Sequence, residues 1–142
     1  MASSSSSPTN QKVVVVTGSS SGMGFETSLA LARNGFMTYA TMRNLNKSEN
    51  IKSLAEKEKL PLKIVQLDVT DDRSVKNAMQ SITAEASRID VLVNNAGYAV
   101  NAAFEDLAME EIKAQYETNL FGVIRVTQAV LPIMRKQKSG SL

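Results

Sequence analysis

The 142 residues are 43% hydrophobic and 21% charged, with 16 basic and 14 acidic side chains, the balance of one globular domain and not of a disordered or membrane-embedded chain. Cysteine and histidine are both absent, which excludes a disulfide framework, a thiolate nucleophile, Cys/His metal ligation and any Ser-His-Asp arrangement. Tryptophan is absent too and the charges alternate in sign without forming a basic stripe, so nucleic acid is not an expected partner.

Residues 1–11 are a serine run closed by Pro8. They lack the basic and apolar regions of a secretory signal, and they read as a flexible tail ahead of one unit spanning 12–142. No stretch is long and apolar enough to span a bilayer, so no membrane partner and a cytoplasmic location are expected.

Val13–Val16 is a short, wholly apolar, β-branched run, as a buried parallel strand requires. A Gly/Ser loop occupies 17–24, and residues 25–34 predict a helix with Leu29, Ala30 and Ala32 inward and Asn34-Gly35 as its left-handed stop. Met37–Met42 is the second strand. Residues 48–59 predict a charged amphipathic helix with Ile51, Leu54 and Ala55 inward, ended before Pro61, and 62–67 the third strand. Thr70 or Asp71 caps the next helix, in which Val75, Met79 and Ile82 recur at helical spacing. Val91–Val93 is the fourth strand, and a long helical pattern runs over 105–137 with a break near Gln115 and a stripe of Ile112, Tyr116, Leu120, Val123, Val130 and Met134. Strand–helix alternation repeated in this way implies an open α/β parallel sheet with right-handed crossovers.

The loop reads Thr17-Gly18-Ser19-Ser20-Ser21-Gly22-Met23-Gly24, directly after a strand and opening a helix. Glycines in that place permit a tight turn and close backbone approach, and free N–H groups at a helix start attract a pyrophosphate. No lysine follows the last glycine, so this is not the loop of nucleoside triphosphatases.

TGxxxGxG after the first strand, Asp68-Val69 after the third, Asn94-Asn95-Ala96-Gly97 after the fourth and Asn119 within Asn-Leu-Phe-Gly together resemble the short-chain dehydrogenase/reductase family over 12–142. The resemblance implies a Rossmann-type, doubly wound parallel sheet, here stopping before the fifth strand. It implies nicotinamide dinucleotide binding through Thr17, Gly18, Ser20, Ser21, Gly22, Met23 and Gly24 at the phosphates. Asp68 and the Val69 backbone would meet the adenine, and Asn95, Ala96 and Gly97 would line the ribose side. In the family a Tyr transfers the proton, a Lys lowers its pKa, a Ser holds the substrate oxygen and an Asn supports a water relay; Asn119 matches that Asn, and a local helix distortion there would free a carbonyl for water.

Where relatives that prefer NAD carry an Asp, this chain has Met42 followed by Arg43. A guanidinium accommodates a 2′-phosphate that a carboxylate would repel, so NADP is expected over NAD. No Tyr-x-x-x-Lys occurs, since Tyr39, Tyr98 and Tyr116 are followed four residues on by Arg43, Ala102 and Leu120. The resemblance therefore implies an oxidoreductase acting on a carbonyl or alcohol, present without its Ser and Tyr-Lys groups and by itself inactive. A non-catalytic nucleotide-binding module and a helix-mediated interaction domain are the alternatives. Homo-oligomerisation through the helices of 105–137 is implied, and Val91–Val93 is expected to be an unpaired, association-prone edge.

Overall fold

The computed structural model describes residues 10–142. The expected tail therefore lies outside the described residues except for its last two positions, and Gln11 is already fastened by a 2.9 Å hydrogen bond from its side-chain amide to the Gly35 carbonyl. Four strands, β1 (Val13–Val16), β2 (Met37–Met42), β3 (Leu62–Gln66) and β4 (Val91–Val93), form one sheet in the order β3-β2-β1-β4, all parallel. Five helices accompany them: α1 (Gly22–Arg33), α2 (Glu49–Lys57), α3 (Asp72–Ala86), α4 (Met109–Tyr116) and α5 (Val123–Gln137). A π-helical segment, Glu117–Gly122, joins the last two. The order places β4 beside β1 on the side away from β2, which creates a switch point at the carboxyl ends of these two strands.

The central strands β1 and β2 are buried on both faces, as strands inside a parallel sheet must be, while the edge strand β3 keeps Lys63 and Gln66 exposed. All four valines of β1 are at most 3% exposed, each contributing about 1.5–3 kcal/mol of apolar burial. Along β2 the faces alternate: Tyr39 joins Val15, Ile82, Leu92 and Val126 under α3 and α5, whereas Ala40 and Met42 join Leu29 and Ile51 under α1 and α2.

Several expectations are corrected. The first helix begins at Gly22, so the end of the loop is already its first turn. Ala30 is exposed, and the inner position goes to Ser28, whose hydroxyl reaches Gly24 O at 2.7 Å and Ser19 Oγ at 3.1 Å. Asp71 is the cap of α3, accepting from Arg73 N and Ser74 N, while Thr70 turns back to Asp68. The expected helical run from 105 begins only at Met109, after a 3-10 turn at 104–106 and two extended residues, and its break near Gln115 takes the form of the π segment that starts two residues later. Tyr116, the last residue of α4, and Leu120, inside the π segment, both face outward, at 57% and 45% exposure; the π segment offsets the 3.6-residue period from Glu117 onward.

The expected bare edge at β4 is also corrected in part. The left-handed Lys138 (φ 58°) ends α5, and the chain then runs beside β4. Leu92 N donates to Ser141 O at 3.0 Å and Ser141 N to Asp90 O at 2.9 Å, a parallel bridge between Val91 and Ser141. Just before β4, the Gln137 side chain accepts from Ile89 N and donates to Ile89 O, both at 2.8 Å.

The start of β1 depends on Asp90, which is 7% exposed. Its Oδ2 accepts from Val13 N and Arg88 Nε, each at 2.8 Å, and its Oδ1 accepts from Arg88 Nη2 at 2.6 Å. Burial opposes the charge, but the Arg88 guanidinium and the Val13 N–H outweigh it and hold the carboxyl below the ordinary value of 3.8. A depressed carboxyl stabilises the fold above its unfolded pKa and loses that contribution as pH falls through its folded value. Asp90→Asn should therefore cost about 1–3 kcal/mol at pH 7, with the gap to wild type closing below about pH 4. Thermal melts of both proteins from pH 7 to 3 measure it; a gap that is the same at both ends would assign the loss to packing instead.

Candidate functional site

The loop after β1 divides its residues between bracing and display. Ser19 is buried: its hydroxyl donates to Val16 O and its N–H to Thr41 O, each at 2.9 Å. Gly22 has a φ of +60° and opens α1, and Ser21 before it makes no side-chain cap; the first turn holds no acidic residue. The N–H groups of this turn have no i−4 carbonyl available, and the helix dipole adds partial positive charge. By contrast α3 receives its cap from within the chain, at Asp71. The start of α1 is chemically suited to an anion.

A tight seam joins this loop to the one after β4. Thr17 Oγ1 accepts from Asn95 N at 3.0 Å and Ala96 N at 2.9 Å, and the Asn95 side-chain amide donates to Thr17 O at 3.1 Å and Gly18 O at 3.0 Å. There is no spare volume. A Cβ at Gly24 would stand 2.2 Å from Gly18 O and 2.3 Å from Asn95 Nδ2, and one at Gly18 (φ +67°) would stand 2.8 Å from Ala96 Cα. Asn95 thus serves the loop with its side chain. Asn94 reaches outward to Thr127 Oγ1 on α5 at 3.1 Å.

The seam floors a cleft of about 870 Å³. Of the residues singled out from sequence, Gly18, Ser20, Ser21, Gly22, Met23, Arg43, Asp68, Val69, Asn95, Ala96 and Gly97 line it, while Thr17, Gly24 and Asn119 do not. Thr17 and Gly24 act from behind, through the seam. Asp68 Oδ1 is engaged by Thr70 N and Oγ1 at 2.9 and 2.7 Å; Oδ2 makes no hydrogen bond among the described residues. Asn119 spends its amide on one residue of the loop after β4: Tyr98 N donates to Oδ1 at 3.0 Å and Nδ2 donates to Tyr98 O at 2.7 Å. Gly97 lies directly beneath, where a Cβ would stand 3.0 Å from Asn119 Oδ1. Gly97 therefore makes room for Asn119.

Sequence reasoning missed Lys47, Glu117 and Thr118, which also line the cleft. Lys47 ends the 3-10 turn Leu45–Lys47, whose start Asn44 caps by accepting from Asn46 N. An Asn three residues ahead of a lysine was the available signal, because the turn brings Lys47 back beside the wall that holds Arg43. Glu117 and Thr118 carried none, since their place depends on the π segment. No helix of the described residues is long and apolar enough to cross a membrane.

Comparison with known proteins accords with this geometry. The family model described as short chain dehydrogenase matches residues 12–142. The Bacillus subtilis oxidoreductase YusZ is 44% identical over 135 residues, 94% of this chain and 48% of its own length. An oxidoreductase of Botryotinia fuckeliana is 44% identical over 132 residues, 92% of this chain and 47% of its own. Among solved structures, a gluconate 5-dehydrogenase of Burkholderia cenocepacia in complex with NADP and tartrate superposes with a TM-score of 0.83 at 29% identity, covering 91% of this chain and 51% of that one. The chain spans about half the length of the curated relatives it matches. On the family match, the order of the sheet and the level of identity, it belongs to the short-chain dehydrogenase family.

Proposed function

We propose that the chain forms the nucleotide-binding part of an NADP(H)-dependent oxidoreductase acting on a small-molecule carbonyl or alcohol. The observation that carries this reading is the pairing, within one cleft, of an uncapped helix start with a cationic wall of Arg43 and Lys47 and with Met42 in place of a carboxylate. The NADP bound to the related gluconate 5-dehydrogenase supports the ligand class.

The residues fit such a ligand. The amides of Ser20, Ser21, Gly22 and Met23, with the dipole of α1, suit a pyrophosphate. Arg43 and Lys47 suit a 2′-phosphate, the first as a planar donor fork and the second as a compact charge. Asp68 Oδ2 is an acceptor for an exocyclic amine and Val69 a backbone contact, with Asn95, Ala96 and Gly97 along the ribose side. A bound nicotinamide supplies or accepts the hydride. The chain's own contribution to proton handling would come from Asn119: with its amide held by Tyr98, what remains is its backbone within the π segment, whose irregular hydrogen-bond pattern supports a carbonyl offered to water.

The proposal includes association between copies of the chain through the outward face of α4, the π segment and α5, where Tyr116, Leu120, Ile124 and Leu131 are 42–57% exposed, and a cytoplasmic location.

Calorimetric titration tests the ligand. Wild type should bind NADPH more tightly than NADH, and Arg43→Ala should lose about tenfold in NADPH affinity with NADH affinity little changed; equal affinities in both proteins would overturn the preference. Lacking a Tyr-x-x-x-Lys, the 142-residue chain should consume NADPH at background rate with a panel of aldehydes and ketones, and robust turnover would refute that reading. Light scattering after size exclusion should show an oligomer that Tyr116→Glu/Leu120→Glu dissociates; a wild-type monomer would sink the interface.

A further inference from the structure

One cation outside the cleft is bonded to two of the residues that line it. Arg125, on the first turn of α5, has a side chain 22% exposed and reaches three separate elements. Its Nη1 donates to Val69 O at 2.7 Å and its Nη2 to Glu117 Oε1 at 2.8 Å, while Nε meets the Asp72 carboxylate. Asp72 is 88% exposed, so that pair contributes little. The firm anchors are Val69, beside Asp68 in the cleft lining, and Glu117, which opens the π segment and also lines the cleft. A second contact reinforces the first: a Cβ at Gly122 would stand 2.7 Å from Val69 Cγ2, so the end of the π segment packs directly against the same residue. Two residues beyond Glu117, Asn119 grips Tyr98. Holding a backbone carbonyl and a carboxylate in different directions takes the rigid fork of a guanidinium; an ammonium on a flexible stem serves one of them well.

We propose that Arg125 is a positioning residue that locks the 68–70 turn to the π segment, giving the adenosine end of the cleft and the Asn119 turn one shared geometry. For the identity of its ligand, this inference rests on the nucleotide reading above. Arg125 does not itself line the cleft and acts through two residues that do, Val69 and Glu117.

The test compares wild type with Arg125→Met and Arg125→Lys, using Arg88→Met as a variant that loses an ion pair at the far end of β1. Amide hydrogen exchange in the ligand-free proteins is read at 69–71 and 117–122, and affinity is read with adenosine 2′,5′-bisphosphate. In Arg125→Met exchange should rise in both segments together, and affinity should fall about tenfold. Arg125→Lys should recover part of the affinity, leaving a loss of about threefold. Arg88→Met should melt earlier than wild type with exchange in those segments and affinity unchanged. Faster exchange in only one segment, or in neither, would overturn the proposal, as would an affinity loss in Arg88→Met matching that of Arg125→Met. If Arg125→Met fails to fold, Arg125→Lys carries the same comparison. Should wild type fail to bind the bisphosphate, the nucleotide reading is what falls, and the exchange data still decide the role of Arg125.

Discussion

The Thr17 hydroxyl is the point on which the cleft depends. It takes two peptide N–H groups from the loop after β4, and the Asn95 amide answers with two bonds to the loop after β1. Parallel neighbours in a sheet have no turn in common, so nothing local sets the distance between the loops at their carboxyl ends. Here side chains set it, and the absence of a Cβ at Gly24 and Gly18 lets the backbones close. The uncapped start of α1 then faces the cleft instead of collapsing onto its neighbour. Each bond in the seam is neutral and largely shielded, so it neither titrates nor is screened by salt.

The remaining walls follow from that floor. β2 delivers Arg43 one residue past its end, the next turn returns Lys47, and β3 delivers Asp68 two residues past its own. Their common position beyond the carboxyl ends of the strands is a property of parallel topology, where every strand points its end at one edge. The family to which the chain belongs places its dinucleotide at such an edge, so fold and ligand class support each other while the substrate stays a matter for residues elsewhere.

How much of this was legible follows from the range of the forces involved. The run of valines at 13–16 could only be a strand, and TGSSSGMG after it could only be a turn into a helix, because both signals are local. Asp71 was readable as a cap for the same reason. Ala30 misled because apolarity alone ranked it above Ser28, whose hydroxyl is satisfied within its own helix and by Ser19. Leu120 misled because its inward placement assumed an unbroken 3.6-residue period, which the π segment interrupts; Tyr116, at the end of α4, misled because apolarity alone put it inward. The partner of β4 was hidden since it lies fifty residues downstream, at Ser141. Arg125 could not be singled out either: its acceptors are 8, 53 and 56 residues away.

The pair of bonds from Gln137 to Ile89 has a mechanical consequence. A carboxamide that both gives to and takes from one peptide imitates the rung of a strand, and it pins the last turn of α5 to the entrance of β4. With Arg125 tethering the first turn, α5 is a post fixed at top and bottom, unable to roll or slide without breaking charge-free and charged bonds together. Compliance in the cleft must then come from elsewhere. The turn at 45–47 is tied mainly to itself, through Asn44, Asn46 and Ser48, and so the wall bearing Lys47 lacks the double fastening that α5 has.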